Sequence, residues 1–245
     1  MALGDFDGAL CFAREAQTIG QSIGGGWDFL NGLNLSLILC CRGDLDQAIE
    51  YFRSARDRER PSFHTGILSG ALFQALAMKG DPEMENALAE VRLDLPVAGG
   101  PLFIGSCDCL ALVLEGLAVL GRREEAAALD TVAEHVAAKG PVCVWSQNLM
   151  RTSAGIAAAA ACRWERAEEH FRTAIQQAGC APYKTAQPIA RLRYADMLLA
   201  RDLASDRERA RELLREALLM CQTVGMTWYA QHIEQRIQGA VAGVM

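Results

Sequence analysis

Residues 43–55 read GDLDQAIEYFRSA, residues 4–16 read GDFDGALCFAREA, and residues 162–174 read CRWERAEEHFRTA. One phrase written three times in one chain is the mark of a repeat architecture, and the period has to be found before any local assignment. With Ala48 of the first phrase as a marker, counterparts fall at Ala9, Ala87, Ala126, Ala167 and Ala210, with spacings along the chain of 39, 39, 39, 41 and 43 residues. A bulky residue stands three places before the marker in Phe6, Leu45 and Trp164, a column that Arg123 and Arg207 break. A large apolar residue follows at +4 in Phe52, Phe171 and Leu214, and a second alanine at +7 in Ala16, Ala55, Ala133, Ala174 and Ala217.

Offsets of 0, +4 and +7 lie on one face of a helix with 3.6 residues per turn. Small residues at 0 and +7 let a neighbouring helix approach, and the larger residue fills the space between. The other faces carry charge, as in Asp46, Glu50, Arg53 and Arg56, or Glu165, Arg166, Glu169 and Arg172. Each copy is therefore an amphipathic helix with a solvated outer side. Between these helices lie long, charge-poor segments at 27–41, 63–79, 108–120, 145–161 and 190–200, which read as helices buried on more than one side. No run alternates strictly between hairpin turns, so strands are not expected. Gly24-Gly25-Gly26, Pro61, the Gly-Gly-Pro at 99–101, Gly140-Pro141 and the Ala-Pro-Tyr at 181–183 punctuate the units.

A helix pair of this kind cannot bury its own apolar face, so copies must stack. The expected fold is all-α: a right-handed superhelical solenoid of antiparallel helix pairs, about six repeats of 39–43 residues, forming a single domain over 1–245. The first repeat begins near Asp5 without a first helix, and residues 227–238 form an extra helix capping the last repeat.

The G-x-x-x-x-A-x-x-x-F-x-x-A pattern resembles the second half of a tetratricopeptide repeat. Gly43, Leu45, Ala48, Phe52 and Ala55 fall on signature positions, as do Trp164, Ala167, Phe171 and Ala174, and Gly155 takes the small position of a first helix. The copy at Ala87 matches poorly, because GDPEMENALAEV carries two extra residues before the alanine. The period is longer than the 34 residues of the plain repeat. Longer units resemble those in the C-terminal arrays of bacterial signalling ATPases, including adenylate-cyclase fusions and LuxR-type regulators. The resemblance implies that the first helices line a concave groove. By register this groove takes Leu33 and Leu37, Gln74, Asp108 and Glu115, Thr152, and Arg193 as candidate contacts with a protein or peptide partner. Surface exposure without a partner is the plain alternative for these groups.

Composition narrows the classes. The chain carries 24 Lys and Arg against 30 Asp and Glu, a net charge of −6, which argues against a non-specific binder of nucleic-acid backbones. No apolar run approaches the roughly 20 residues of a membrane span, and the start lacks the basic-then-apolar order of a signal peptide. A cytoplasmic setting is expected. Nine cysteines, an odd number scattered through apolar surroundings, read as reduced, packed thiols rather than a disulfide framework, and Cys40-Cys41 and Cys107-x-Cys109 lack zinc-ligand spacing. No phosphate-binding or dinucleotide loop, nucleophile elbow or paired-histidine zinc motif occurs.

The histidines His64, His135, His170 and His232 lie in different repeats, with no second ligand one helical turn away, so no metal site is expected. His135 and His170 read as solvated, and Glu124-Glu125 and Glu168-Glu169 as a solvated helix face rather than acid–base pairs. Arg191 and Arg193, with Lys184 upstream, make the one locally basic first helix, suited to an acidic partner or phosphate. Aromatics at helix starts (Trp27, Phe63, Phe103, Trp145, Tyr183 and Trp228) are inter-repeat wedges or a ligand row. The expected function is thus non-catalytic and cofactor-free. It is a protein–protein interaction module, a regulatory or scaffolding arm of a bacterial signalling or transcription-regulator protein, docking a partner or other domains of a larger parent chain. The alternative is a sensor binding a peptide or small effector in the groove.

Overall fold

The computed structural model describes residues 4–23, 27–56, 64–140, 148–180 and 183–242. Gly24–Gly26, Pro61, Phe63, Pro141, Cys143 and Trp145, and the side chain of Trp27, lie outside the described residues. All regular structure among them is helical: α1 (Phe6–Ile23), α2 (Trp27–Arg42), α3 (Leu45–Arg56), α4 (Ile67–Lys79), α5 (Met84–Val91), α6 (Ile104–Leu120), α7 (Arg123–Ala128), α8 (Asp130–Lys139), α9 (Met150–Ala160), α10 (Trp164–Gly179), α11 (Ala186–Arg201), α12 (Asp206–Val224) and α13 (Thr227–Ala242). Each packs chiefly on its neighbours in sequence. The repeated phrase becomes α1, α3, α5, the broken pair α7–α8, α10 and α12. The charge-poor segments become α2, α4, α6, α9 and α11.

The register accounts for the packing. Ala48, Phe52 and Ala55 are buried, as are Ala167, Phe171 and Ala174, and Ala210, Leu214 and Ala217. Gly155 has to be small, since a Cβ there would stand 2.7 Å from the Phe171 ring. The turn before each repeated helix recurs as well. After α2, the amide of Gly43 donates to the Cys40 carbonyl and that of Asp44 to Leu39, the paired bonds of a Schellman motif. The same pairing follows α4, α6 and α9 at Gly80, Gly121 and Cys162. Each of these residues adopts a positive φ, which suits glycine but not cysteine.

Charges on the repeated helices pair between successive copies. Arg53 meets Glu83, Arg56 meets Glu90, Arg122 grips Glu85, and Arg166 forks onto Glu134. The ladder runs along a face that stays solvent-exposed, and two groups read as solvated depart from it. His170 is buried, because Arg151 donates to its Nδ1 at 3.2 Å and its Nε2 donates to Glu134 at 2.7 Å. Glu168 is half-buried, accepting from the Tyr194 hydroxyl at 2.8 Å and from Arg201 at 2.7 Å.

One element departs from neighbour-only packing. Helix α13 contacts α12 and also α2, far away in sequence. The Trp228 Nε1–H donates to the Met78 carbonyl at the end of α4 (3.2 Å), and the Trp228 backbone lies against Gly43. At the same end, Phe6 approaches Gly225, and Gly4 approaches Val224. The charge-poor face of the array is therefore covered by the chain's own last helix, where a lid over the last repeat alone had been expected.

Candidate functional site

Two charged residues sit where the charge-poor helices converge. Glu115, on α6, is 0% exposed and Arg193, on α11, is 2% exposed. The Arg193 Nε donates to Oε2 of Glu115 at 3.0 Å and Nη2 donates to Oε1 at 2.5 Å, the two-pronged geometry of a strong guanidinium–carboxylate pair. The third arm, Nη1, donates to Asp196 Oδ2 at 2.9 Å. Asn148 Nδ2 and the Tyr229 hydroxyl each add a bond to Glu115 at 3.2 Å, and Gln74 Nε2 reaches the Tyr229 oxygen at 3.5 Å. Three stretches of chain converge on the carboxylate that α6 carries, and a fourth, bearing Gln74, joins through Tyr229.

Burial pushes the Glu115 carboxyl up, and the charge and hydrogen bonds of Arg193, with those of Asn148 and Tyr229, outweigh it and hold the group below its ordinary range. Burial, and then the Glu115 charge, push the Tyr229 hydroxyl well above its ordinary value, so it stays a donor. Beside them His232 stacks on Trp228, ring centroids 4.9 Å apart. Burial first, then the charges of Arg193 and Arg236, depress its pKa to about 4.

The residues expected to line an open groove occupy this interior. Leu33 and Leu37 are buried in the core of α2. Asp108 and Thr152 are buried on α6 and α9. Gln74, half-buried, Glu115 and Arg193 join through Tyr229 into the single network. What covers that network is α13. The basic stretch on α11 is likewise consumed internally, Arg191 by Glu216 at 2.8 Å and Arg193 by Glu115. Of the aromatic row, Phe103 stays exposed, Tyr183 is half-buried and Trp228 packs against α4.

Next to the network a cavity of about 310 Å³ opens between the C-terminal half of α6, the start of α7, and α9, α11 and α13. Its apolar part is formed by Leu117, Ile156, Phe171 and Met197, with Ala159, Ala160 and Ala200 leaving the space. Its polar part holds four arginines, Arg122, Arg123, Arg193 and Arg236, against one carboxylate, Asp196. This is an unusual local balance in a chain of net charge −6. Sequence reading missed Arg123, Asn148, Tyr229, His232 and Arg236. The one available signal was Glu115, a carboxylate inside the apolar run CLALVLEGLAVL, which demands a buried cation from elsewhere.

Among the described residues no group of three or more His, Cys, Asp or Glu side chains could hold a metal ion, and no helix is long and apolar enough to cross a membrane. Compared with known proteins, the chain matches no family model, no curated protein and no solved structure.

Proposed function

We infer that this chain is a non-catalytic regulatory module: a right-handed superhelix of about six tetratricopeptide-like helix pairs that senses a small effector on its inner face. The observation that carries this reading is the cavity of about 310 Å³ beside the Glu115–Arg193 pair. An open groove would suit an extended partner segment. Here α13 lies over that face, and what is left free has the size and mixed apolar–polar lining of a small-molecule pocket. A ligand seated there touches α6, α7, α9, α11 and α13 at once, and so is placed to change how the pairs stack.

The test is a thermal-shift screen of small organic compounds against the full chain and against Ala200→Leu, which fills the cavity from the last turn of α11 with a good helix former. A ligand at ten times its Kd adds about 1.4 kcal/mol of stability, a Tm rise of about 3–6 °C for a chain of this size. Hits that the filled variant loses support the reading. A screen in which the two proteins respond alike rejects it.

A second reading, docking of a protein helix, is favoured by α13 itself: the inner face already holds an amphipathic helix through Trp228 and Tyr229. On that reading a partner helix displaces α13, and binding lowers rather than raises protection of α13 amides in hydrogen exchange.

A further inference from the structure

We propose that the cavity binds a small amphipathic anion, a carboxylate on an apolar body of about ten heavy atoms, with Arg236 and Arg123 holding the head group. The proposal rests on the sensing role above and adds the chemical class of the ligand.

The four arginines of the cavity divide into two kinds. Arg193 spends three donors on Glu115 and Asp196. Arg122 is also consumed, with both Glu85 oxygens at 2.7 and 2.8 Å from Nη1 and Glu125 Oε1 at 2.8 Å from Nε. Both charges are already neutralised by carboxylates in hydrogen-bond contact. Arg236 differs. Its nearest carboxylate oxygen, Asp196 Oδ1, lies 3.6 Å from Nε, beyond hydrogen-bond reach, and that Nε is buried with no hydrogen-bond partner. Asp196 already serves Arg193 through its other oxygen. Arg123 is exposed and makes no ion pair among the described residues.

The Arg236 side chain is 41% exposed, so its terminal Nη groups, unlike the buried Nε, are open to an anion, and charge-assisted bonds to them are the strong kind. The free donors are guanidinium groups, whose planar fork matches a carboxylate. No Ser, Thr or Lys lines the cavity, so the extra donors that polyphosphates need are missing. The space admits a short acyl or aryl chain over Leu117, Ile156 and Met197.

Isothermal titration of the full chain with octanoate, 3-phenylpropanoate and octanamide tests the proposal, the first two separating a linear from an aromatic body. Both acids should bind better than the neutral amide by roughly tenfold or more. Arg236→Gln should erase that preference while leaving octanamide binding within about twofold, and Arg236→Lys should keep part of it. Arg123→Gln should weaken both acids alone. Ala200→Leu, or Ala160→Leu if the first fails to fold, should abolish all three. If the amide binds as well as the acids, with loss only in the filled variant, the anion class is wrong and the sensing role stands. If none of the three binds at millimolar concentration, or the acids bind unaffected by the filled variant, the proposal is overturned, and in the latter case the cavity is not the site at all.

Discussion

Removing one charge of the Glu115–Arg193 pair should cost far more than removing both. Glu115→Gln keeps the shape of the side chain and one of the two bonds from Asn148 and Tyr229, which fall on different oxygens, but leaves a guanidinium that is 2% exposed with Asp196 as its one carboxylate. Stripping one partner from a buried pair costs about 3–5 kcal/mol, whereas replacing both with groups of similar volume is often neutral or stabilising. Arg193→Met retains the unbranched stem, so the double variant Glu115→Gln/Arg193→Met should lie within about 1 kcal/mol of the parent, a coupling of at least 2 kcal/mol. In urea melts at pH 7, followed by circular dichroism and tryptophan fluorescence, the single variants should lose about 1–2 M of midpoint. Acid provides a second check. The folded pKa of Glu115 lies below its ordinary value, so its stabilising contribution is complete above the unfolded pKa and vanishes as pH falls through the folded one. The gap between parent and Glu115→Gln should therefore be full at neutrality and close in acid. Single variants costing under 1 kcal/mol, with a gap indifferent to pH, would mean that water reaches the pair and that α13 does not seal the inner face.

Two further outcomes follow from named side chains. Cys162 is exposed, with φ of 58°, where its counterparts Gly43 and Gly121 are glycines, so Cys162→Gly should stabilise by about 0.5–1 kcal/mol once the extra freedom of the unfolded glycine is counted, a Tm rise of about 1–4 °C by calorimetry; a fall in Tm refutes the strain. His232 has a folded pKa of about 4 against an ordinary 6.5, so the unfolded chain takes up a proton that the folded one refuses, and stability falls as pH drops from 6.5 to 4 by about 3 kcal/mol. His232→Phe preserves the stack on Trp228 and should flatten that part of the pH–stability curve; an unchanged slope assigns the loss to other groups.

The helices were legible because packing within a pair is periodic. Ala48, Phe52 and Ala55 recur as Ala167, Phe171 and Ala174 because every copy solves the same local problem, and Gly155 is explained by the ring it must admit. The closing of the array was not legible. Trp228 reaches Met78 across 150 residues, and Tyr229 reaches Glu115 across 114, through contacts made once and so without a period to detect. His170 was misread for a related reason. Its neighbours in sequence are charged, and the burial comes from Glu134 and Arg151 on other helices. The candidate residues on the charge-poor helices stand buried or half-buried in the interior, since register alone could not tell a groove facing solvent from one filled by the chain itself.

An array that obeys its packing code everywhere has contacts only between neighbours. Specific closure must then come from positions that break the code, and this chain follows that logic. Glu115, Arg193 and Gln74 are polar groups in the interior of the charge-poor helices, drawn from three different copies, and Tyr229 belongs to the one helix outside the register. Their donors and acceptors are matched almost one to one, which makes them the lock of the fold. Arg123, which has no ion pair among the described residues, and Arg236, whose one carboxylate is Asp196 at 3.6 Å, break the same pattern at the same place. Exceptions consumed by one another account for structure, and exceptions left with donors to spare are where the chemistry of a ligand belongs.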